Sequence, residues 1–303
     1  MIYNSKDVFI TQNMTASYLL RRQTQKVLCR FLGPVFITKL MYKMAMGESL
    51  NLNDPKKFSE KICWYKLYYC PNNDLIIQCA DKYSMRKFLS EIGLGEYAVK
   101  LLDSWRTVNE INWGDLPNRF AIKCSHGCGY NIICNNKNSL NIKQTKKLLE
   151  KWIQDDFGYY NGELHYNKGV RRIICEEYID SKDRLPIDYK VHCINGNPVI
   201  VQECLDRENG HVHNTFYNMN GSLAPFEQNK KEVLSLESKF LLDLEHICRT
   251  ISVFFPYVRV DCYLNRGALQ IGELTFTPGA GILRSLGIEG DIYMGKLWDL
   301  SKC

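Results

Sequence analysis

The sequence contains no long apolar run, no internal repeat and no low-complexity tract. The uncharged run FLGPVFIT at 31–38 is far shorter than the roughly 20 residues that a membrane-spanning helix needs. Residues 1–20 also lack the basic and then apolar layout of a secretory signal. These absences predict a chain that neither spans a membrane nor enters the secretory pathway, and we place it in the cytoplasm.

Acidic residues are scarce at the N-terminal end. Residues 1–49 contain seven lysines and arginines against Asp7 and Glu48, and so carry five of the six net positive charges of the chain. Two interpretations remain open: a solvated helix face packed on the main body, which we favour, or a segment that attaches to an anionic membrane surface or a lipid-linked substrate. The apolar positions that recur at helical spacing among these bases are Leu19, Leu20, Val27, Leu28, Phe31 and Leu32.

The remaining composition is that of a globular protein. The chain has 303 residues, 45% of them hydrophobic and 24% charged, which predicts a sizeable core and about two domains. Thirteen cysteines at irregular spacing in a chain of this size indicate reduced thiols rather than a disulfide framework. Cys124 and Cys128 form a C-x₃-C pair, but without a second pair they do not predict a zinc site.

The order of sequence patterns predicts an α+β fold in three regions. Residues 1–80 are predicted to be helical, broken at Gly33-Pro34 and Gly47, with a further helix that Asp54 caps and Pro55 begins. Residues 81–178 alternate between helices and strands, including the strands FAIKC and NIIC. Residues 179–303 are rich in strands, with a hairpin turn at Asn195-Gly196. They also contain one helix, whose apolar positions 240, 241, 244, 247, 248 and 251 share a face.

Charged residues interrupt the stretch YVRVDCYLNRGALQIGELTFTPG at 257–279. With a three-residue loop at 265–267, the strands would place Arg259 opposite Glu273 and would put both on one face with Asp261 and Thr275. A two-residue turn at 266–267 would instead put the two carboxylates on opposite faces. Two carboxylates on one face suit Mg²⁺, and an arginine beside them could bind a phosphoryl oxygen. A plain Arg259–Glu273 ion pair is an equally weighted alternative.

Two earlier segments favour a phosphate-containing ligand. In FAIKCSHGCGYNIIC, a strand ends near Lys123 and is followed by a glycine-containing loop, an arrangement that brings backbone N–H groups and a lysine to phosphates. In IICEEYID, an apolar strand leads into Glu176, Glu177, Tyr178 and Ile179, whose backbone groups could pair with an adenine edge.

Taken in order, these segments resemble the ATP-grasp enzymes, the superfamily of D-alanine–D-alanine ligase and biotin carboxylase. Within it, the segments NDPKKFSEKICWYKL, ADKYSMRKFL, FAIKCSHGCGYNII, RRIICEEYI, DYKVHCINGNP and VRVDCY…IGELTFTPG resemble the teichuronopeptide-biosynthesis, or TupA-like, type found in bacterial polysaccharide clusters. The resemblance covers residues 50 to 285. It implies an ATP-grasp fold in which two α/β subdomains, 81–178 and 179–303, grip a nucleotide, preceded by the helical and basic region 1–80.

The resemblance also implies roles for individual residues on the nucleotide side. Lys82 and Lys123 correspond to the lysines that contact the nucleotide phosphates, and the stretch from Gly127 to Gly129 corresponds to the loop that closes over them. The remaining implied ATP-binding positions are Glu176, Glu177 and Ile179 at the adenine and Asp188 at the ribose. His126, next to the glycine loop, has two open interpretations, a proton-transfer group or a polar loop residue.

On the metal side, Asp261 and Glu273 correspond to the metal-binding carboxylates. Thr275 stands where an asparagine usually supplies a third ligand, a departure that puts a second metal position in doubt. Arg259 matches the arginine that steadies the transferred phosphoryl group, and we place Lys190 with it as a catalytic candidate. Arg207, in a polar segment after the predicted hairpin, is a candidate for contact with substrate.

The resemblance implies an ADP-forming carboxylate–amine ligase that uses ATP and Mg²⁺ and proceeds through an acyl phosphate. Its implied partners are a uronic acid of a bacterial surface polysaccharide, or its precursor, and an amino acid or amine, without nucleic acid. The implied location is cytoplasmic, with peripheral contact at the inner membrane. The alternative is a glycosyltransferase of polysaccharide biosynthesis, although the chain lacks the short D-x-D that metal-dependent members usually carry. A nucleotide-binding protein without turnover is a third interpretation.

Overall fold

The computed structural model describes residues 7–11, 15–180, 185–205, 212–227 and 232–303. Within these ranges the α-helices are α1 Ala16–Met46, α2 Phe58–Trp64, α3 Asp74–Ala80, α4 Met85–Glu91, α5 Ile142–Ile153, α6 Ser238–Ser252 and α7 Gly287–Leu297. The strands are β1 Val8–Ile10, β2 Leu101–Trp105, β3 Phe120–Cys124, β4 Asn131–Cys134, β5 Ile173–Glu177, β6 Asp188–Ile194, β7 Asn197–Leu205, β8 His213–Asn218, β9 Tyr257–Asn265 and β10 Ala268–Thr275.

The first sheet has the strand order β1-β4-β3-β5-β2 and is antiparallel throughout. β3 and β4 have the predicted boundaries, FAIKC and NIIC. β1 was not predicted, because residues 1–80 were expected to be helical. All three of its residues are apolar and buried, and pairing with β4 covers an edge that would otherwise expose unpaired backbone groups.

The N-terminal region is helical after β1, and its main helix breaks where expected. Gly33 within α1 has a φ of 86°, and Gly47 ends the helix with a φ of 78°. The start of α2 was predicted wrongly, since the helix begins at Phe58 rather than at Pro55. Glu60 accounts for the shift, because its carboxylate accepts hydrogen bonds from backbone N–H groups upstream and so caps the helix three residues later than Asp54 would.

The second sheet has the order β10-β9-β6-β7-β8 and is also antiparallel. The hairpin turn at Asn195-Gly196 is confirmed, and both residues have positive φ, 50° and 80°. α6 packs against this sheet, and the six apolar positions predicted for its inner face are all buried. The predicted α+β class with a helical N-terminal region is therefore confirmed, while the domain boundaries stay a prediction.

The turn between β9 and β10 differs from the prediction. Asn265 pairs with Ala268, so the turn has two residues, Arg266 and Gly267, rather than three. An extra residue on β10, Gly272, then shifts the register by one and leaves Glu273 opposite Asp261. The predicted pairing was wrong, but the predicted shared face is present because the bulge offsets the shorter turn.

Two properties of the described chain bear on its setting. No described helix is both long and apolar enough to cross a membrane. All thirteen cysteines lie in described segments and none forms a disulfide there, in agreement with the irregular spacing. Eleven of the thirteen are buried, and the exposed one is Cys128, in the loop after β3.

Candidate active site

The central feature of the site is a charged face on the second sheet. Asp261 and Glu273 are direct cross-strand partners on β9 and β10, and Lys190 on β6 is the partner of Asp261 on its other side. Cross-strand partners project to the same side of a sheet, so the three groups share one face. Arg259 and Thr275 form the next pair along, on the same face.

Asp261 lies at the centre of this face and is buried. Arg259 donates from Nε to Oδ1 and from Nη2 to Oδ2, each at 2.7 Å, and Lys190 Nζ donates to Oδ2 at 2.8 Å. Lys190 Nζ also donates to Asp188 Oδ2 at 2.7 Å. Burial disfavours the charged lysine, but Asp188 and Asp261 together raise the pKa of Lys190 above its usual value, so the group stays protonated at neutral pH.

Glu273 connects the charged face to the first half of the chain. Its Oε2 lies 2.8 Å from Nζ of Lys82, which is buried just before α4. Burial disfavours the Glu273 carboxylate, but Lys82 and Lys190 outweigh it and hold the pKa of Glu273 well below its usual range. Lys82 Nζ donates a second hydrogen bond, of 2.8 Å, to the carbonyl of Gly127. One ammonium therefore links the carboxylate face to the glycine loop.

The glycine loop connects β3 to β4, as predicted. Gly127 and Gly129 have φ angles of 78° and 80°, the left-handed region that favours glycine. A Cβ on Gly127 would also lie 2.5 Å from the ring of Phe157, so a side chain is excluded by space as well as by backbone. Nε2 of His126 lies 3.0 Å from the carbonyl of Asp155, which is not part of the charged face. Burial and Arg171 lower the pKa of His126 to about 4, and these contacts favour the polar loop residue over the proton-transfer group.

A pocket opens between the two sheets, beside the charged face. Four of the predicted ATP-binding residues line it, and its other walls are mostly apolar, as suits a planar heterocycle. Tyr263 of β9 brings the second sheet into a pocket otherwise lined by β3, β4, β5 and the segments that follow β1 and β5. The lining residues are Thr11, Ala121, Lys123, Asn131, Ile133, Glu176, Glu177, Tyr178, Ile179, Leu185, Pro186 and Tyr263.

At the floor of this pocket, Glu176 is completely buried between two cations. Lys123 Nζ lies 2.5 Å from Glu176 Oε2, and Nη2 of Arg86 donates to Oε1 at 2.5 Å. Glu176 thus holds Lys123 in place, and its own contact with the nucleotide stays a prediction. The N–H of Glu177 donates to the carbonyl of Lys100, and the backbone contacts of Glu177 and Ile179 with an adenine stay predictions.

The donor set of the charged face fits a hard divalent cation bound together with phosphate. Asp261, Glu273 and Thr275 supply two carboxylates and one hydroxyl, and Mg²⁺ in such sites takes one or two carboxylates and completes its shell with phosphate oxygens and water. No group of three or more His, Cys, Asp or Glu side chains able to hold a metal occurs among the described residues. The face therefore suits a metal that arrives with a phosphate ligand rather than one held by protein alone.

Several residues near the site were not predicted. Arg86 lies one helical turn after Lys82 in the quoted segment ADKYSMRKFL, a spacing that could have indicated it. Buried Glu163 accepts a 2.6 Å hydrogen bond from Thr277, which ties the polar segment 159–169 to the end of β10. Burial raises the pKa of Glu163 above its usual value. No local pattern marked Glu163, because its partner lies more than a hundred residues away. Arg207, the remaining candidate, lies outside the described residues.

The two antiparallel sheets, the lysine-tethered glycine loop and the opposed carboxylates place the chain in the ATP-grasp class. The sequence model of one branch of that class, the TupA-like ATP-grasp family, matches residues 60–298. The chain belongs to this TupA-like family. No curated protein sequence matches it.

The solved structures that match this chain are distant from it in sequence. D-Alanine–D-alanine ligase from Helicobacter pylori is 12% identical, with 80% of this chain and 70% of that chain covered and a TM-score of 0.48. Phosphoribosylamine–glycine ligase from Thermotoga maritima is 14% identical, with 80% and 62% covered and a TM-score of 0.46. The ATP-grasp ligase PsnB, solved with a phosphomimetic precursor variant, Mg and ADP, is 10% identical, with 72% and 57% covered and a TM-score of 0.42. The chain thus spans little more than half the length of PsnB.

Proposed function

We propose that the protein is an ATP-dependent carboxylate–amine ligase that forms ADP and an amide. The observation that carries the proposal is the juxtaposition of Asp261, Glu273 and Arg259 with Lys82 and the glycine loop. In this reaction the γ-phosphoryl group of ATP passes to a substrate carboxylate, giving an acyl phosphate and ADP. The amine then attacks the acyl carbon, and inorganic phosphate leaves with the former carboxylate oxygen.

Each charged group has a role that follows from its position. Asp261, Glu273 and Thr275 would hold Mg²⁺, which neutralises charge on the phosphates. Lys82, held between Glu273 and the Gly127 carbonyl, meets phosphate oxygens where the loop closes. Arg259 presents a guanidinium already oriented by its two bonds to Asp261, and so stabilises the oxyanion that develops at the acyl carbon.

Lys190 and the adenine-side residues complete the assignment. Lys190 stays protonated between Asp188 and Asp261 and adds a second positive group beside the transferred phosphoryl. Lys123, positioned by Glu176, contacts the nucleotide from the opposite sheet. Asp188 serves the ribose hydroxyls when the nucleotide draws Lys190 towards its phosphates.

For the substrates, we propose a uronic acid of a bacterial surface polysaccharide or its precursor as the carboxylate, and an amino acid or simple amine as the nucleophile. Support comes from family membership and from the motifs shared with proteins of polysaccharide clusters. A glycan precursor built on a lipid carrier would place the enzyme in the cytoplasm, peripheral to the inner membrane.

The test is thermal unfolding of the purified protein with Mg²⁺ and ATP, and separately with Mg²⁺ and UDP. A ligand at about 100 times its dissociation constant adds about 2.7 kcal/mol to the free energy of unfolding, which is several degrees in Tm for a chain of this size. We expect this shift with MgATP and a much smaller one for Asp261→Asn, each measured against the same variant without nucleotide. Asp103→Asn, on exposed β2, is the matched control and should shift like the unmodified protein.

A shift with ATP would justify screening uronic acids and amines for ADP release. A rise in Tm with UDP alone would contradict the ligase proposal and favour the glycosyltransferase. ATP binding without ADP release across that screen, with Asp261 intact, would instead support a nucleotide-binding protein without turnover.

A further inference from the structure

The N-terminal helix α1 presents apolar side chains to solvent on the side away from the body of the protein. Leu20, Val27 and Phe31 are 71%, 51% and 83% exposed. Their spacing of seven and then four residues places them on one side of a helix, in a single ridge. Leu32, before the break at Gly33, and Phe36 and Met44, after it, are also exposed.

The ridge points outward because the opposite side of α1 is fixed to the body. Arg22, Gln25 and Cys29 are buried there, in place of the apolar set that the sequence indicated. Lys26 lies 2.9 Å from Asp155, and Arg30 lies 2.5 Å from Asp156, and both acids follow the end of α5. α1 thus packs on the main body, as the favoured interpretation holds, but it does so through this polar side, and Leu20, Val27 and Phe31 remain exposed. Rotating the ridge inward would break both ion pairs.

The charge of α1 is of one sign only. Its 31 residues include six lysines and arginines and not one acidic residue. Of these, Arg21, Lys39 and Lys43 are exposed and make no ion pair within the described part of the chain. An exposed apolar ridge on a segment that carries free bases and no acidic residue is the pattern of helices that lie in the interface of an anionic membrane.

We propose that the ridge of Leu20, Val27 and Phe31 docks on an anionic lipid surface, with Arg21, Lys39 and Lys43 contacting the headgroups. Charge selects this occupant over a second copy of the chain. A two-fold dimer through the ridge would bring α1 against α1, and its bases would face bases without a carboxylate on either helix. The docking is independent of the ligase chemistry, because none of these residues belongs to the nucleotide site.

The test is co-sedimentation of the full chain with vesicles of phosphatidylcholine alone and of phosphatidylcholine with phosphatidylglycerol. We expect binding to the anionic vesicles only, weakened by salt. Phe31→Ser should weaken partitioning by about tenfold. The triple change Arg21→Gln, Lys39→Gln and Lys43→Gln should weaken it by more, at about fivefold per base removed.

The matched control variants remove the same types of side chain from helices other than α1. Ile288→Ser removes an exposed apolar side chain from α7, and the triple Lys143→Gln, Lys147→Gln and Lys151→Gln removes three charges from α5. Both should bind vesicles like the unmodified protein. The MgATP-induced rise in Tm should be the same in all variants, which shows that each is folded and separates this proposal from the ligase proposal.

Failure of the unmodified protein to sediment with anionic vesicles would overturn the proposal, as would equal losses for Phe31→Ser and Ile288→Ser. A dimer in light scattering that Phe31→Ser converts to a monomer would assign the ridge to a second copy of the chain instead.

Discussion

Two hairpins of the second sheet have the same kind of turn but align different side chains. Each turns through two residues of positive φ, Asn195-Gly196 in β6–β7 and Arg266-Gly267 in β9–β10. Each also carries one extra residue on its return strand, Val199 in the first and Gly272 in the second. The β6–β7 hairpin contributes Lys190 to the charged face and aligns the neutral pair His192 and Gln202, whereas the β9–β10 hairpin aligns the two carboxylates of the candidate metal site.

The two hairpins differ in the side chains that their extra residues bring into register. Val199 is a β-branched residue within β7, and past it His192 hydrogen-bonds to Gln202 across the hairpin. Gly272 has no room for a side chain, since a Cβ there would lie 2.4 Å from the ring of Tyr263. Without an extra residue between the turn and Glu273, Asp261 and Glu273 would point to opposite faces. The extra residue thus decides whether the carboxylates share a face, and the Tyr263 ring favours glycine at that position.

The two hairpins should differ most in nucleotide affinity when a carboxylate is removed from β9–β10 and a neutral side chain is removed from β6–β7. Glu273→Gln takes one of two carboxylates from the candidate metal site and leaves the Lys82 ammonium buried without its anionic partner. We expect the Kd for MgATP, measured by titration with a fluorescent ATP analogue, to rise about 100-fold, or about 2.8 kcal/mol. Gln202→Ala, on the same face of the other hairpin, should change that Kd less than twofold. Similar losses for both would mean that the face is structural.

The hairpins should also differ in their response to acid. Burial and Arg259 lower the pKa of His192 to about 3, against about 6.5 in an unfolded chain. Between these values the unfolded state binds a proton that the native state does not, so stability falls as pH decreases from about 6.5 towards 3. Glu273, whose pKa is also lowered, contributes stability that is lost only as pH falls below about 4.3.

Replacing His192 should therefore make the free energy of unfolding depend less on pH between 6.5 and 4.5. His192→Gln should reduce the slope of unfolding free energy between pH 6.5 and 4.5 by up to about 1.4 kcal/mol per pH unit. Urea unfolding at several pH values measures this slope. His213→Gln, at an exposed position on β8, is the control and should leave the slope unchanged. An unaltered slope in His192→Gln would show that His192 is not held neutral in the native state.

The bulge itself can be tested through Tyr263. Gly272→Ala forces its Cβ against the Tyr263 ring and should cost about 2 kcal/mol in unfolding free energy. Because that ring lines the nucleotide pocket, weaker MgATP binding should accompany the loss. Adding Tyr263→Ala should recover much of the stability, a non-additivity that a double-mutant cycle measures. Val199→Ala in the other hairpin should leave nucleotide affinity unchanged. Strict additivity of the two changes would rule out the steric account.

These hairpins also show what the sequence could and could not reveal. β3, β4, the inner face of α6 and the Asn195-Gly196 turn follow from local signals, since hydrophobic period and turn residues act over a few positions. The shared face of Asp261 and Glu273 was predicted from a three-residue loop that does not exist. Gly272 lies in an alternating run, and only the Tyr263 ring on the neighbouring strand explains why a glycine is required there.

Long-range partners account for the other differences. β1 forms because β4 offers an edge more than a hundred residues later, and the orientation of α1 is set by Asp155 and Asp156 near α5. The apolar periodicity of α1 could not reveal which side faces the body. Ion pairs with distant acids, together with buried Arg22 and Gln25, outweigh the hydrophobic pattern.

The smallest expected effect should be the same in both hairpins. Gly196 and Gly267 each have a φ of 80°, and an alanine there costs about 1 kcal/mol because L side chains are disfavoured in this region. Space does not add to the penalty, since a Cβ would have no neighbour closer than 3.6 Å at Gly196 and none within 4 Å at Gly267. Urea unfolding should give equal losses for Gly196→Ala and Gly267→Ala, with the MgATP-induced rise in Tm intact in both. A loss of nucleotide binding in Gly267→Ala alone would show that the turn, and not the bulge at Gly272, sets the register on which the carboxylates depend.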